Sequence, residues 1–132
     1  MTDPCDMSGV WYGRYASRAE PQENSFIAVL EEAPGGGFTG TISEPDGGGG
    51  IRRALVNGQR TGMAIYFVKQ YTGRWDHKVN YSGRIDGEGV TASGGWNLDW
   101  LWGNFDMQRE KFRVEELEDD IEVVIGGPGP QA

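Results

Sequence analysis

Seven side chains in this sequence are of types that could do chemistry together: Tyr15, Glu44, Lys69, Tyr71, His77, Tyr81 and Trp96. A carboxylate and an imidazole can pass protons, a lysine can hold an anion, phenols hydrogen-bond and a Trp ring stacks. That set suits a binding pocket. It equally suits an acid–base site in which Glu44 and His77 exchange protons with substrate while Lys69 or a Tyr stabilises an enolate. Other chemistries lack their parts. With one His and one Cys, the usual His/Cys metal clusters cannot be assembled, so no metal is expected. There is no P-loop, no G-x-G-x-x-G turn and no G-x-S-x-G elbow, and no cofactor is expected. Gly47 to Gly50 precede no helix start and read as a loop rather than a phosphate cradle. Cys5, among polar residues near the chain start, reads as an incidental thiol.

These residues need strands to hold them. Turn signals arrive every eight to fourteen residues, and the segments between them alternate or run apolar. Eight strands are predicted: Val10 to Ser17, Ser25 to Glu32, Phe38 to Glu44, Ile51 to Asn57, Gly62 to Tyr71, His77 to Ile85, Val90 to Asn97 and Gly103 to Arg109. Asp86-Gly87-Glu88-Gly89 is a hairpin signal, because Asp-Gly tolerates the positive φ of type I′ turns. Asp99-Trp100-Leu101-Trp102 is expected as a loop between the last two strands, its Trp residues a lid, a protomer contact or simply buried. The fold class is therefore all-β: an eight-stranded antiparallel up-and-down meander, which removes its edges by closing into a barrel. Glycines inside the strands, as in Phe38-Thr-Gly-Thr-Ile and Tyr81-Ser-Gly-Arg-Ile, permit the coiling that a small barrel needs.

Alternation then places the chemistry. In such a barrel the ends of odd strands share a rim with the starts of even ones, and side chains point in and out in turn. If Trp11 points inward, so do Gly13 and Tyr15. The inward sets on later strands are Phe38-Gly40-Ile42-Glu44, Met63-Ile65-Phe67-Lys69-Tyr71, His77-Val79-Tyr81-Gly83-Ile85 and Val90-Ala92-Gly94-Trp96. Tyr15, Glu44, Lys69, Tyr71, His77 and Trp96 converge at one open mouth, with Tyr81 and Trp96 as a stacking surface. Trp11 and Arg109 fall at the opposite, closed end.

Composition narrows the partners. The net charge is -8, and Glu110 to Glu122 alone hold seven acids against two bases. An acidic chain without a basic stripe fits neither nucleic acid nor an anionic membrane. No apolar run is long enough for a transmembrane helix, and no signal peptide opens the chain. One cysteine agrees with a reducing compartment, so a cytoplasmic location is expected. The domain plan is a barrel over 8–109 and an acidic tail over 110–132. In that tail Leu117, Ile121 and Val124 have helical spacing, while Ile121 to Ile125 could form a strand.

Gly9-Val10-Trp11 opens the first strand of this meander, and there the chain resembles the calycin superfamily of lipocalins and avidins. Gly9-Val-Trp-Tyr-Gly is similar to the avidin opening, and Phe38-Thr-Gly-Thr-Ile to a third-strand motif of that family. The lipocalin likeness implies that Trp11 plugs the closed end and that Arg109, from the last strand, lies across it. Such a cation–π contact is worth roughly 0.5–2 kcal/mol. The likeness to avidins does not extend to biotin: Gly13 stands where they have a biotin-contacting Asn, and their later Trp and Asp set has no match here. The leading expectation is a non-enzymatic barrel that takes a small, partly apolar, anionic molecule in its mouth through Tyr15, Glu44, Lys69, Tyr71, Tyr81 and Trp96. The alternatives are a side-chain-filled barrel acting as a protein-interaction module or homo-oligomer, and an isomerase or cyclase using His77 and Glu44.

Overall fold

The computed structural model describes residues 3–19, 22–73 and 77–110. The acidic tail, apart from Glu110, lies outside the described residues, and with it the expected helix or strand around Leu117 to Ile125. Among the described residues all regular structure is β: β1 (Gly9–Ser17), β2 (Asn24–Glu32), β3 (Gly37–Pro45), β4 (Ile51–Thr61), β5 (Ala64–Tyr71), β6 (Lys78–Ile85), β7 (Thr91–Leu98) and β8 (Leu101–Gln108). Each strand pairs antiparallel with the next, and β8 returns to β1 from Tyr12↔Gln108 to Ser17↔Gly103. The expected meander closes into a barrel, which leaves no strand with an open edge.

The period-two pattern that identified the strands is also what fills the inside. On β2, Phe26, Ala28 and Leu30 are buried while Ile27 and Val29 face out. The inward rows meet in one apolar cluster that includes Trp11, Phe38, Phe67, Tyr81, Trp96 and Phe105. Phe67 and Tyr81 stack with ring centroids 4.7 Å apart, and Phe105 stands edge-on to both. Aromatic side chains therefore occupy the middle of the barrel. The inward glycines Gly40 and Gly83 let the sheet coil: a Cβ on either would collide with a carbonyl of the neighbouring strand, Val29 O or Ser93 O.

Four details depart from the sequence reading. Strand β4 does not stop at Asn57 but runs on to Thr61, although Asn57-Gly58 is a turn-prone pair. The ladder continues through Gln59↔Tyr66 and Thr61↔Ala64, and the Arg60 guanidinium is anchored on Glu32 at 2.8 Å. The turn thus falls at Gly62 and Met63, and Met63 is exposed rather than an inward residue of β5. Leu98 pairs with Leu101, so the loop between β7 and β8 shrinks to Asp99-Trp100, with Asp99 at φ 53°. Asp tolerates that left-handed conformation, and Trp102 becomes a strand residue.

The fourth departure is the chain start. Cys5 and Met7 are buried, Met7 completely, and the Cys5 thiol donates to Asp86 O at 3.4 Å. The segment before β1 is a plug for the closed end. Two polar networks hold it there. Arg109 donates to Ser8 O and Pro4 O, while Glu32 accepts from Met7 N and also pairs with Arg60.

Candidate functional site

Among the described residues three charged side chains are buried, Arg109 at one barrel end and Glu44 with Lys69 at the other. At the closed end, where β1 begins and β8 ends, the Arg109 guanidinium lies 4.3 Å from the Trp11 ring centroid. Its donors reach three carbonyls: Gly89 O at 2.7 Å, Ser8 O at 2.6 Å and Pro4 O at 3.2 Å. Trp11 is fully buried, and its indole N–H donates to Met7 O at 2.9 Å. The indole N–H and all three guanidinium nitrogens thus donate to backbone carbonyls.

At the mouth, β1, β3, β4 and β5 bring Tyr15, Glu44, Arg52, Lys69 and Tyr71 together. Glu44 and Lys69 are 2% and 1% exposed, unusual for charged side chains and decisive for what they can do. Glu44 Oε1 accepts from Tyr71 Oη at 2.5 Å, Arg52 Nε at 3.1 Å and Tyr15 Oη at 3.2 Å. Its other oxygen, Oε2, lies 3.5 Å from Lys69 Nζ. The ammonium otherwise faces rings, with the centroids of Tyr15, Tyr71 and Tyr81 at 4.4, 4.7 and 5.2 Å. Trp96 is buried edge-on to Tyr15 at 5.9 Å, and its indole N–H donates to Ala16 O.

Burial tunes these groups. It lowers the Lys69 pKa to about 8, since removing the ammonium from water outweighs the attraction of Glu44. Burial first, then the bond to Glu44, drives the Tyr71 pKa up. Tyr15 and Tyr81 are raised as well, again chiefly by burial. All three phenols are therefore neutral donors at ordinary pH.

The structure thus gathers Tyr15, Glu44, Lys69, Tyr71 and Trp96 at one end. Tyr81 lies one layer deeper, between Lys69 and the aromatic stack. His77 differs. It is exposed just before β6, its ring edge-on to Tyr71 at 5.8 Å and thus beside the cluster rather than within it. Gly13, the inward residue below Tyr15, leaves room for the Phe26 ring, which a Cβ there would strike. Arg52 went unforeseen, yet its signal was legible: it shares parity with the inward Ala54 and Val56. Trp100 and Trp102 are 83% and 52% exposed, so simple burial is excluded, and Arg18 covers one face of Trp102 at 4.7 Å. A concavity bounded by Tyr12, Arg14, Ile27, Ile51 and Asp106 lies on the outer wall, where those side chains point.

Comparison with known proteins adds the fold. No protein-family model matches the chain, and no curated protein does. Two solved structures are similar: a redesigned β-barrel, with a TM-score of 0.72 and 11% identity over 83% of this chain and 96% of that one, and a de novo designed fluorescence-activating β-barrel, with a TM-score of 0.62 and 12% identity over 83% of this chain and all of that one. The chain resembles designed barrels. At such identity the likeness establishes an eight-stranded antiparallel barrel and carries no residue of either site across.

Proposed function

We propose that this protein is a non-enzymatic, calycin-like barrel that binds a small, partly apolar molecule at its mouth, with an oxygen acceptor of the ligand directed at Lys69. The observation that carries this reading is the incomplete solvation of the buried ammonium. Lys69 has three N–H donors and, among the described residues, one acceptor at the long distance of 3.5 Å. Rings compensate part of the charge, but they are weaker partners than oxygen. A core built only for stability does better with apolar residues than with a buried ion pair. Arg52 and Lys69 together suit a carboxylate or carbonyl, while Tyr15 and Trp96 offer it an aromatic wall. Because Phe67, Tyr81 and Phe105 occupy the middle of the barrel, the ligand sits near the rim, by displacing Tyr15 or Arg52, rather than deep inside. Calycin-like closure is supported by the Trp11–Arg109 pair at the other end.

A thermal-shift titration with small aromatic and aliphatic carboxylic acids tests it. At one hundred times its dissociation constant a ligand stabilises by roughly 2.7 kcal/mol, several degrees for this size. The shift should vanish in Lys69→Met. A shift that survives that substitution, or none across the series, overturns the reading.

A protein-interaction role is the second reading, favoured by the Asp99-Trp100 turn. It holds the Trp100 indole almost wholly in water at the mouth rim, next to the exposed Leu101 and Trp102, and aromatic residues are enriched at interfaces. A monomeric mass at high concentration that Trp100→Ala leaves unchanged argues against self-association through this turn.

A further inference from the structure

We propose that Lys69 is a covalent capture site for aldehydes, its amine condensing with a small, apolar carbonyl compound admitted at the mouth. The inference rests on the mouth reading above and names the ligand's reactive group.

Three features of the cluster point there. The first is residue type. Among the described residues the other ion-paired cations are Arg14, Arg52 and Arg60, and the cation over Trp11 is also an arginine. Only position 69 uses lysine. If pairing with Glu44 were the whole task, a guanidinium would grip the carboxylate with two parallel bonds. A guanidinium cannot act as an amine nucleophile; a lysine can. The second is the wall of three tyrosine rings, which excludes water from the amine and gives an apolar carbonyl compound a surface to lie on. The third is Glu44, whose Oε2 stands 3.5 Å from Nζ, on the same group that must lose protons during condensation. Desolvation supports the chemistry. With a pKa of about 8, roughly one amine in ten is neutral at pH 7, against fewer than one in a thousand for an ordinary lysine.

The step balances without any redox partner. The lone pair of the neutral Nζ attacks the carbonyl carbon, a C–N bond forms and the C=O π electrons move to oxygen. One of the two nitrogen protons passes by way of Glu44 to that oxygen, giving the carbinolamine. The nitrogen lone pair then closes C=N and expels the hydroxyl, which leaves as water with the second nitrogen proton, again carried by Glu44. Amine and aldehyde go in; imine and one water come out. Tyr15 and Tyr71 hold Glu44 Oε1, so Oε2 is kept turned to the reacting nitrogen.

The sequence simplifies the test, because the chain contains three lysines: Lys69, Lys78 and Lys111. The full-length protein is incubated at pH 7 with cinnamaldehyde and sodium cyanoborohydride, which reduces imines to stable amines, and adducts are located by peptide mass mapping. One adduct on Lys69 is expected, formed at least ten-fold faster than on exposed Lys78. It should disappear in Lys69→Arg and in Lys69→Met, either of which suffices if one fails to fold, and slow in Glu44→Gln. Adducts spread evenly over Lys78, Lys111 and the amino terminus, with Lys69 unmodified, overturn the proposal. Cinnamic acid and cinnamyl alcohol separate the two readings. If either raises the melting temperature while Lys69 stays unmodified, the mouth binds but the covalent step is wrong. If acid, alcohol and aldehyde all leave the protein unmoved, both are wrong.

Discussion

Each end of this barrel buries a cation against aromatic rings, and the two are finished differently. Arg109 at the closed end is tied to the backbone: each of its three nitrogens donates to a carbonyl, and Trp11 takes its face. Lys69 at the mouth has one long contact to a carboxylate and three tyrosine rings. A planar guanidinium with fixed donors closes a fixed structure, whereas an ammonium on a flexible stem leaves donors that another molecule can use. The contrast separates the end that holds the fold from the end where binding is proposed.

Breaking the closed end should have the largest effect. Trp11→Ala removes a fully buried ring and uncovers Arg109, and a loss of about 3–5 kcal/mol is expected, lowering the melting temperature by roughly 10 °C or more. A calorimetric shift of only a degree or two would show that this end is not the keystone. Next is the mouth pair. Glu44→Gln leaves Lys69 buried without its counter-charge and should cost about 2–4 kcal/mol in urea denaturation. The double change Glu44→Gln with Lys69→Met should recover most of that. If the double variant is no more stable than the single one, the pair is not coupled as described.

The pH dependence sharpens the same point. Lys69 titrates at about 8 when folded and near 10.4 when unfolded, so between those values the unfolded chain binds more protons. Its contribution therefore makes stability rise with pH from about 8 to 10. Tyr15, Tyr71 and Tyr81 have raised pKa values, so above about 10 the unfolded chain loses their protons first and stability falls. Melting temperatures measured from pH 7 to 11 should show the rise, and Lys69→Met should flatten it. Trp100→Ala is expected to do least, within about 0.5 kcal/mol, because the ring is 83% exposed. A larger loss would mean that the turn supports the mouth.

Much of the site was legible because side-chain direction in a strand depends on parity alone. Counting by twos from Trp11 and Phe38 suffices to put Tyr15 and Glu44 inside, and the same count reaches Lys69, Tyr71, Tyr81 and Trp96. It fails at ends. His77 sits before the first paired residue of β6, and Met63 in a turn, where no ladder fixes direction. The plug formed by Cys5 and Met7 has no periodicity to read; it is held by the distant groups Glu32, Asp86 and Arg109.

By itself the sequence determined the number of strands, their order and, within the paired stretches, which residues face inward, because turn chemistry and alternation are local properties of the chain. Only the tertiary structure decided how far inside each group lies, that Glu44 and Lys69 meet, and that aromatic rings occupy the barrel's middle. Those outcomes depend on strand register and on how neighbouring rings share a fixed volume, and both are settled only when all eight strands close on one another.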